Sequence, residues 1–312
     1  MALQASYLHL LNSGKLEERV KQARESLSNC RICPHQCGVN RLEDERGFCR
    51  TGARAIVSGH GPHFGEEPPI SGTRGSGTVF FSGCNMRCIY CQNYEVSQEM
   101  EGHEVTPEFL AFFLLALQEQ GCHNINLVTP SHVVPQFLEG LLLAAREGLH
   151  LPVVYNSGGY DGITTLRLLD GIIDIYMPDI KYSDNRTGLE LSGVKSYWTA
   201  AKNALLEMYR QVGNLQLDSN GVACKGLLIR HLVLPGGLSG TRKVMKFIAT
   251  EISRDAVINI MDQYRPCGRA SEHPPLDRRL RPEEFKQAIE WAKQAGLTRI
   301  MPLWQKDQPV SQ

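Results

Sequence analysis

Cys84, Cys88 and Cys91 stand at C-x3-C-x2-C in the stretch Ser82-Gly83-Cys84-Asn85-Met86-Arg87-Cys88-Ile89-Tyr90-Cys91-Gln92-Asn93, directly behind the apolar run Thr78-Val79-Phe80-Phe81. Three thiolates on one short loop can hold three irons of a cubane [4Fe–4S] cluster and leave the fourth iron without a protein ligand. Clusters that only transfer electrons normally have every iron closed off by cysteine. An open position, like that of a catalytic zinc, admits a substrate or cofactor. The bland reading of the same loop is a zinc knuckle, but a knuckle needs four ligands and no fourth cysteine or histidine stands on this loop. A second set lies upstream: Cys30, Cys33, Cys37 and Cys49 follow C-x2-C-x3-C-x11-C within 20 residues. Four thiolates make a complete set for tetrahedral zinc or for a closed iron–sulfur cluster, and the spacing serves either. Gly38 and Gly47 supply the tight turns such a site needs. A structural metal that pins the N-terminal lobe is the favoured reading. A second cluster that relays electrons is the other.

The elements that must position these cysteines follow from the apolar pattern. Residues 13–28 read as an amphipathic helix with Leu16, Val20, Ala23 and Leu27 on one face. Residues 58–77 are rich in Gly, Pro, Ser and His and read as a loop between two lobes, with His60 and His63 as ordinary loop residues. From residue 78 strands and helices alternate. Strands are predicted at Thr78–Ser82, Asn124–Val128, Pro152–Tyr155, Asp174–Met177, Leu227–Leu232 and Ala256–Met261. Helices are predicted between them at Phe109–Gln120, Pro135–Arg146, Gly162–Leu169, Lys195–Val212 and Thr241–Ile252. The first of these helices opens on Thr106-Pro107-Glu108, a capping residue followed by proline at the first helical position. A last helix opens at Pro282 and stops at Gly296, and Thr298–Pro302 is a candidate edge strand. Short apolar strands without strict alternation are expected when both sheet faces are covered. The fold class is therefore α/β: a partial (β/α)6 parallel barrel with a small cysteine-rich N-terminal metal-binding lobe. The expected units are residues 1–75, 76–265 and 266–312. The cysteine loop falls at the C-terminal end of the first strand, where α/β active sites lie.

With 312 residues the chain is long enough for one large α/β domain and an appendage. Hydrophobic residues make up 42% and charged residues 21%, as in ordinary globular proteins. The 33 basic and 33 acidic residues balance, which argues against nucleic acid as the main partner. Nothing near the start reads as a signal peptide, and no apolar run reaches 18 residues, so no membrane span is expected. Seven of the ten cysteines lie in the two metal-spaced sets, which points to a reducing cytoplasm rather than to disulfides.

The three-cysteine spacing, with an aromatic (Tyr90) before its last cysteine, resembles the signature of the radical S-adenosylmethionine (radical SAM) superfamily. The resemblance covers roughly residues 76–265. It is strongest to the activating enzymes of pyruvate formate-lyase, in their PflX-type branch. The leader Cys-x2-Cys-Pro-x2-Cys-Gly-Val and the segment Asn259-Ile260-Met261-Asp262-Gln263-Tyr264-Arg265-Pro266 support that branch. The resemblance implies a barrel of radical SAM type whose open iron chelates S-adenosylmethionine. Reductive cleavage then yields a 5′-deoxyadenosyl radical that takes hydrogen from an unidentified substrate, a protein glycine or a small molecule. Flavodoxin or ferredoxin is the implied electron donor. Tyr90, Asn156 and Ser157 at the third strand's end, Asp179 and Lys181 after the fourth, and Arg230 on the fifth are the implied contacts to S-adenosylmethionine. Thr129 stands in Thr129-Pro130-Ser131-His132, where the activating enzymes carry Gly-Gly-Glu. His132, and Gln263 with Tyr264 near the place of a missing sixth-strand histidine, are candidate substrate contacts. These departures put the glycyl-radical substrate in question more than the cofactor. The rival reading is a non-catalytic iron–sulfur or zinc protein acting as an electron carrier or adaptor.

Overall fold

The structure, a computed structural model, describes residues 4–301. Ten strands form one sheet: β1 (Ala55–His63), β2 (Ser76–Phe81), β3 (His103–Val105), β4 (Ile125–Val128), β5 (Val153–Asn156), β6 (Ile175–Tyr176), β7 (Gln216–Leu217), β8 (Ala223–Leu232), β9 (Val257–Met261) and β10 (Ile300–Met301). The order across the sheet is β10-β9-β8-β6-β5-β4-β2-β1-β3, with β7 paired to β8 off this path. From β2 to β10 the strands on this path are parallel and lie in chain order. Chain-ordered parallel strands joined by right-handed crossovers place all their helices on one face. The sheet runs open from β10 to β3, so this is a partial barrel with seven parallel strands. The predicted edge strand is present as Ile300–Met301; its expected last residue, Pro302, lies outside the described residues.

The register fixes which side chains face the helices and which face the barrel interior. Val79, Leu127, Tyr155, Tyr176, Ile229 and Ile258 pack with Leu114, Phe137, Leu166, Met208 and Val244 of the helices in the main core. The alternate positions point the other way. Val154, Ile175, Leu228 and Val257 form the apolar floor of the interior together with Ile70. Thr78 and Asn126 are in register with Val154 and so face the same interior. One layer higher come Phe80, Val128 and Asn156, and on the far side Arg230 beside Asn259.

The segment expected to be a loop between lobes is built into this barrel. Residues 55–63 form β1, antiparallel to β2, with a bulge between Val57 and Gly59. The composition hid this strand because β1 borders the sheet over Ser58–His63, where β3 no longer pairs with it. Pro62 is tolerated at such an edge. Gly59 and Gly61 have nothing within 4 Å of where a Cβ would stand, so their small size leaves open space. A short helix, Pro68–Ser71, then enters the interior: Ile70 is fully buried, and its carbonyl accepts from Asn124 Nδ2 at 2.8 Å.

Candidate functional site

β2 ends at Phe81 and the chain passes through Ser82 and Gly83 to Cys84. Gly83 has φ +81°, and a Cβ there would stand 2.8 Å from the Cys49 carbonyl, so glycine is required at this turn. The three sulfurs sit among donors. Met86 N–H donates to Cys84 Sγ at 3.3 Å, Ser192 Oγ donates to Cys88 Sγ at 3.0 Å, and Ser97 Oγ lies 3.2 Å from Cys91 Sγ. Burial pushes the thiols of Cys84 and Cys88 up, the latter to about 11. Lys181 lies close enough to Cys88 to oppose that shift. A sulfur site with donors and a cation around it fits thiolate ligation of a cluster, because each donor favours the anionic sulfur.

Beside the cysteine loop, the ends of β5, β6 and β8 bring four polar residues together. Asp179 Oδ1 accepts from Arg230 Nε at 2.9 Å, and Asp179 Oδ2 pairs with Lys181 Nζ at 2.5 Å. Arg230 Nη2 donates to Asn156 Oδ1 at 2.6 Å. Burial pushes the Asp179 carboxyl up, but Arg230 and then Lys181 outweigh it and hold the group below the usual carboxylate range. Burial also works against the Lys181 charge, and Asp179 and then Cys88 overcome it, so the ammonium is held above its ordinary range. Gly158 and Gly159 make this approach feasible: a Cβ on Gly159, at φ +76°, would lie 2.2 Å from the Asp179 carbonyl. Tyr197 closes the turn, donating to Gly158 O at 3.0 Å and accepting from Lys181 N–H at 2.8 Å. Asn156, Asp179, Lys181 and Arg230, expected to act together, do meet.

The other expected site residues are placed differently from this group. Tyr90 lies behind the cysteine loop, with its hydroxyl 2.5 Å from Tyr182 Oη and its ring against Tyr264. Ser157 donates to Asp161 Oδ2 at 2.7 Å. Thr129 adopts a left-handed conformation (φ 60°), and its N–H donates to the Asn156 carbonyl at 2.9 Å. Gln263 is exposed, and its carbonyl accepts from Gln92 of the cysteine loop at 3.4 Å. Tyr264 is buried and donates to Leu276 O at 2.6 Å. His132 is buried below the cysteine loop, with Nε2 2.9 Å from the Ser82 carbonyl, and it lines the cavity of the N-terminal cysteines.

Three groups escaped sequence reasoning. Asp161 is 3% exposed and accepts from Ser131 Oγ, Tyr155 Oη and Ser157 Oγ, which ties the turn after β4 to the turn after β5. Burial raises its carboxyl despite these donors. Glu66 and Glu67, read as loop, reach the barrel interior. Glu66 lies 3.6 Å from Arg230 and 3.3 Å from His63, and burial raises it. Glu67 Oε1 accepts from Asn259 Nδ2 at 2.8 Å, while its Oε2 has no partner. Asn126, fully buried on the same interior face, has neither amide atom paired. Arg41 is the third: it is 1% exposed beside the four N-terminal cysteines. The only sequence signal for Glu66 and Glu67 was an acidic pair inside a Gly/Pro-rich stretch.

Cys30, Cys33, Cys37 and Cys49 converge on one small cavity, lined also by Arg41 and His132. Burial pushes the Cys33 thiol up to about 12, with the charges of Cys49, Cys30 and Cys37 adding to it. Arg41 Nε donates to Gly52 O at 3.0 Å and Nη1 to His132 O at 2.8 Å; Nη2 has no partner.

Comparison with known proteins finds relatives of this chain. The profile of the Radical SAM superfamily matches residues 78–214. An uncharacterized protein of Methanocaldococcus jannaschii, MJ0674, is 34% identical over 302 residues, covering 94% of this chain and 82% of that protein. The pyruvate formate-lyase-activating enzyme of Clostridium pasteurianum is 28% identical over 165 residues, covering 50% of this chain and 61% of the enzyme. Among solved structures, TYW1 with a lysine–pyruvate adduct bound matches with a TM-score of 0.44 and 13% identity, over 70% of this chain and 73% of that one.

Proposed function

The chain belongs to the radical SAM superfamily, and from that premise we propose that it is an enzyme that starts radical chemistry on S-adenosylmethionine at the Cys84, Cys88 and Cys91 loop. The observation that carries this reading is the meeting of that loop with the Asn156–Asp179–Lys181–Arg230 group at the C-terminal strand ends. When bound, a [4Fe–4S] cluster and S-adenosylmethionine supply a one-electron reductive cleavage that gives a 5′-deoxyadenosyl radical. Cys84, Cys88 and Cys91 would hold the cluster. Lys181 and Arg230 would receive the methionine carboxylate and Asp179 and Asn156 the ribose hydroxyls, as charge and hydrogen-bonding capacity suggest. Asp179 holds both cations in place before any ligand arrives. Ile70 with Val154, Ile175, Leu228 and Val257 makes the floor of the interior apolar.

In this reading Cys30, Cys33, Cys37 and Cys49 carry a second metal, and the radical chemistry belongs to a barrel whose sheet also takes in β1 and β10. Flavodoxin or ferredoxin supplies electrons, as is usual in the superfamily. The finer proposal is that the hydrogen donor is a glycine of a partner protein, supported by the likeness to the Clostridium pasteurianum activating enzyme. A small molecule is the competing substrate, because Thr129-Pro130-Ser131-His132 replaces the Gly-Gly-Glu of those enzymes.

The test is chromatographic. Anaerobically reconstituted, dithionite-reduced protein should convert S-adenosylmethionine to 5′-deoxyadenosine and methionine. Protein carrying a full three-cysteine cluster that releases no 5′-deoxyadenosine would sink the proposal. Incubation with a glycyl-radical protein then decides the finer reading by the presence or absence of a glycyl signal in electron paramagnetic resonance.

A further inference from the structure

We propose that the barrel interior beneath Arg230 is a substrate site, and that it takes a small molecule carrying a protonated amine and an amide group on an apolar body. The inference rests on the proposed radical chemistry for what happens to that molecule, and it selects a small molecule over a protein glycine as the hydrogen donor. The binding chemistry stands on its own observations.

The first of these is an amide with nothing to bond. Asn126 stands in the interior row between Thr78 of β2 and Val154 of β5. It is fully buried, and among the described residues neither its Nδ2 nor its Oδ1 has a partner. The Thr78 hydroxyl is spent elsewhere, donating to the Ser76 carbonyl at 3.1 Å. Asn124, two residues earlier, shows the opposite case: it donates to the Ile70 carbonyl and accepts from Ser76 Oγ, and so fixes the fold. A buried polar group left unpaired is unfavourable, and native proteins keep few of them. Asn126 presents donor and acceptor side by side, and an amide group is the partner that matches both. Val154, Ile175 and Ile70 make the surroundings apolar, which suits a hydrocarbon body.

The second observation is surplus negative charge in the same interior. Glu67 is 6% exposed; its Oε1 accepts from Asn259 Nδ2, and its Oε2 has no partner. Among the described residues no ion pair includes Glu67. Glu66 beside it lies 3.6 Å from Arg230, but Arg230 is already bonded to Asp179 at 2.9 Å. Arg230 and Lys181 thus serve three carboxylates, Asp179, Glu66 and Glu67. Burial raises the Glu66 carboxyl, Arg230 works against this, and the Glu67 charge adds to it. His63, 3.3 Å from Glu66, is the half-exposed partner on the outer side. A carboxylate oxygen can only accept, so Glu67 Oε2 calls for a donor, and the surplus charge makes a cationic donor the best match. One segment brings the two observations together: Glu67 precedes the short helix of Ile70, whose carbonyl is held by Asn124 next to β4. Both groups lie inside the sheet, deeper than the surface that a protein partner touches, so the occupant is a small molecule.

The experiment uses the full chain, reconstituted anaerobically, in equilibrium dialysis with S-adenosylmethionine present. The probes are glycinamide, β-alaninamide and 4-aminobutanamide. The controls are butanamide, which lacks the amine, and butylamine, which lacks the amide. At least one amino amide should bind roughly tenfold or more tightly than either control. Glu67→Gln should remove the advantage over butanamide, and Asn126→Leu the advantage over butylamine. Both variants should keep wild-type affinity for S-adenosylmethionine. Asn126→Leu should also raise the midpoint of urea unfolding, because it removes an unpaired amide, whereas loss of a structural asparagine would lower it. If Glu67→Gln does not fold, the wild-type preference for amino amides over butanamide still reads the amine. Amino amides bound no better than the controls, weaker binding of S-adenosylmethionine in Glu67→Gln, or a lower midpoint in Asn126→Leu each overturns the proposal. An amino amide bound as expected by protein that cleaves no S-adenosylmethionine would instead overturn the proposed function and leave the binding site standing.

Discussion

Asp179 carries more of the site's electrostatics than any other side chain, because it is the shared partner of Lys181 and Arg230. Asp179→Asn should therefore show itself first in stability. Breaking a buried ion pair removes about 3–5 kcal/mol, and side chains here that are 15–17% exposed put the loss near the lower end. Lys181→Ala leaves Asp179 paired with Arg230, so its effect should fall on ligand binding. Loss of a hydrogen bond to a charged group is worth about 1.5–3 kcal/mol, or roughly a ten- to hundred-fold weaker affinity for S-adenosylmethionine. Equilibrium dialysis of the iron-loaded protein measures it, and wild-type affinity with full iron would remove Lys181 from the binding group. Single replacement of Cys84, Cys88 or Cys91 by alanine should abolish both the oxygen-sensitive cluster and formation of 5′-deoxyadenosine. A single variant that keeps its catalytic iron and its activity would show that the ligands are misassigned.

At the level of elements, the segment 64–71 does the work of a stopper. It crosses the barrel from Asn259 of β9, bonded to Glu67, to Asn124 just before β4, bonded to the Ile70 carbonyl. Ser76 Oγ extends this contact to β2 through Asn124 Oδ1 at 2.7 Å. Strands that are far apart in the sheet are thus linked through the interior of an unclosed barrel. Ile70→Ala would leave a hole under Val154, Ile175 and Val257. A buried large-to-small change of this kind lowers stability by about 2–5 kcal/mol. Denaturant unfolding should show it as a lower midpoint. A loss below about 0.5 kcal/mol would mean that the segment is not anchored as the structure has it.

For the whole molecule, buried histidines set a lower limit on the pH of stability. His231 is fully buried; its Nδ1 lies 2.6 Å from the Ile180 carbonyl and its Nε2 2.9 Å from Thr241 Oγ1. Both contacts are served by the neutral ring, with Nδ1–H donating and Nε2 accepting from the hydroxyl. Burial lowers the group to about 4, against 6.5 in the unfolded chain. The folded pKa is depressed, so the unfolded state takes up the proton first. The contribution is fully present above about pH 6.5 and is lost as pH falls toward 4, at most about 3 kcal/mol. His132, also lowered to about 4 by burial, adds a loss of the same sign. Urea unfolding of wild type between pH 7.5 and 4 should show this decline, and His231→Gln should flatten it by up to one proton. An unchanged slope in that variant would show that His231 is not the group responsible. Among the described residues no helix is long and apolar enough to cross a membrane.

The α/β alternation and the place of the three-cysteine loop after the first parallel strand were legible in the sequence because their signals are local: ligand spacing on one loop and apolar runs bounded by turns. The Asn156, Asp179, Lys181 and Arg230 group came from the family resemblance alone, since the residues themselves read equally well as a turn and a surface ion pair. Tertiary structure alone decided the rest. β1 carries Gly59, Gly61 and Pro62, residues that read as loop, and forms a strand only because β2 offers a pairing edge. Glu66 and Glu67 are ordinary surface types, and Ile70 a single apolar residue in a Gly/Pro-rich stretch, until the open barrel packs around them. Tyr90 and Tyr264, expected near ligand or substrate, pack together because each hydroxyl finds a protein partner behind the loop. The seating of His35 against Asn85 and of Cys49 against Gly83 joins positions about fifty and about 34 residues apart in the chain. Periodicity and spacing carry no information about such pairings, because burial and hydrogen bonding between distant segments are properties of the packed chain and not of either segment alone.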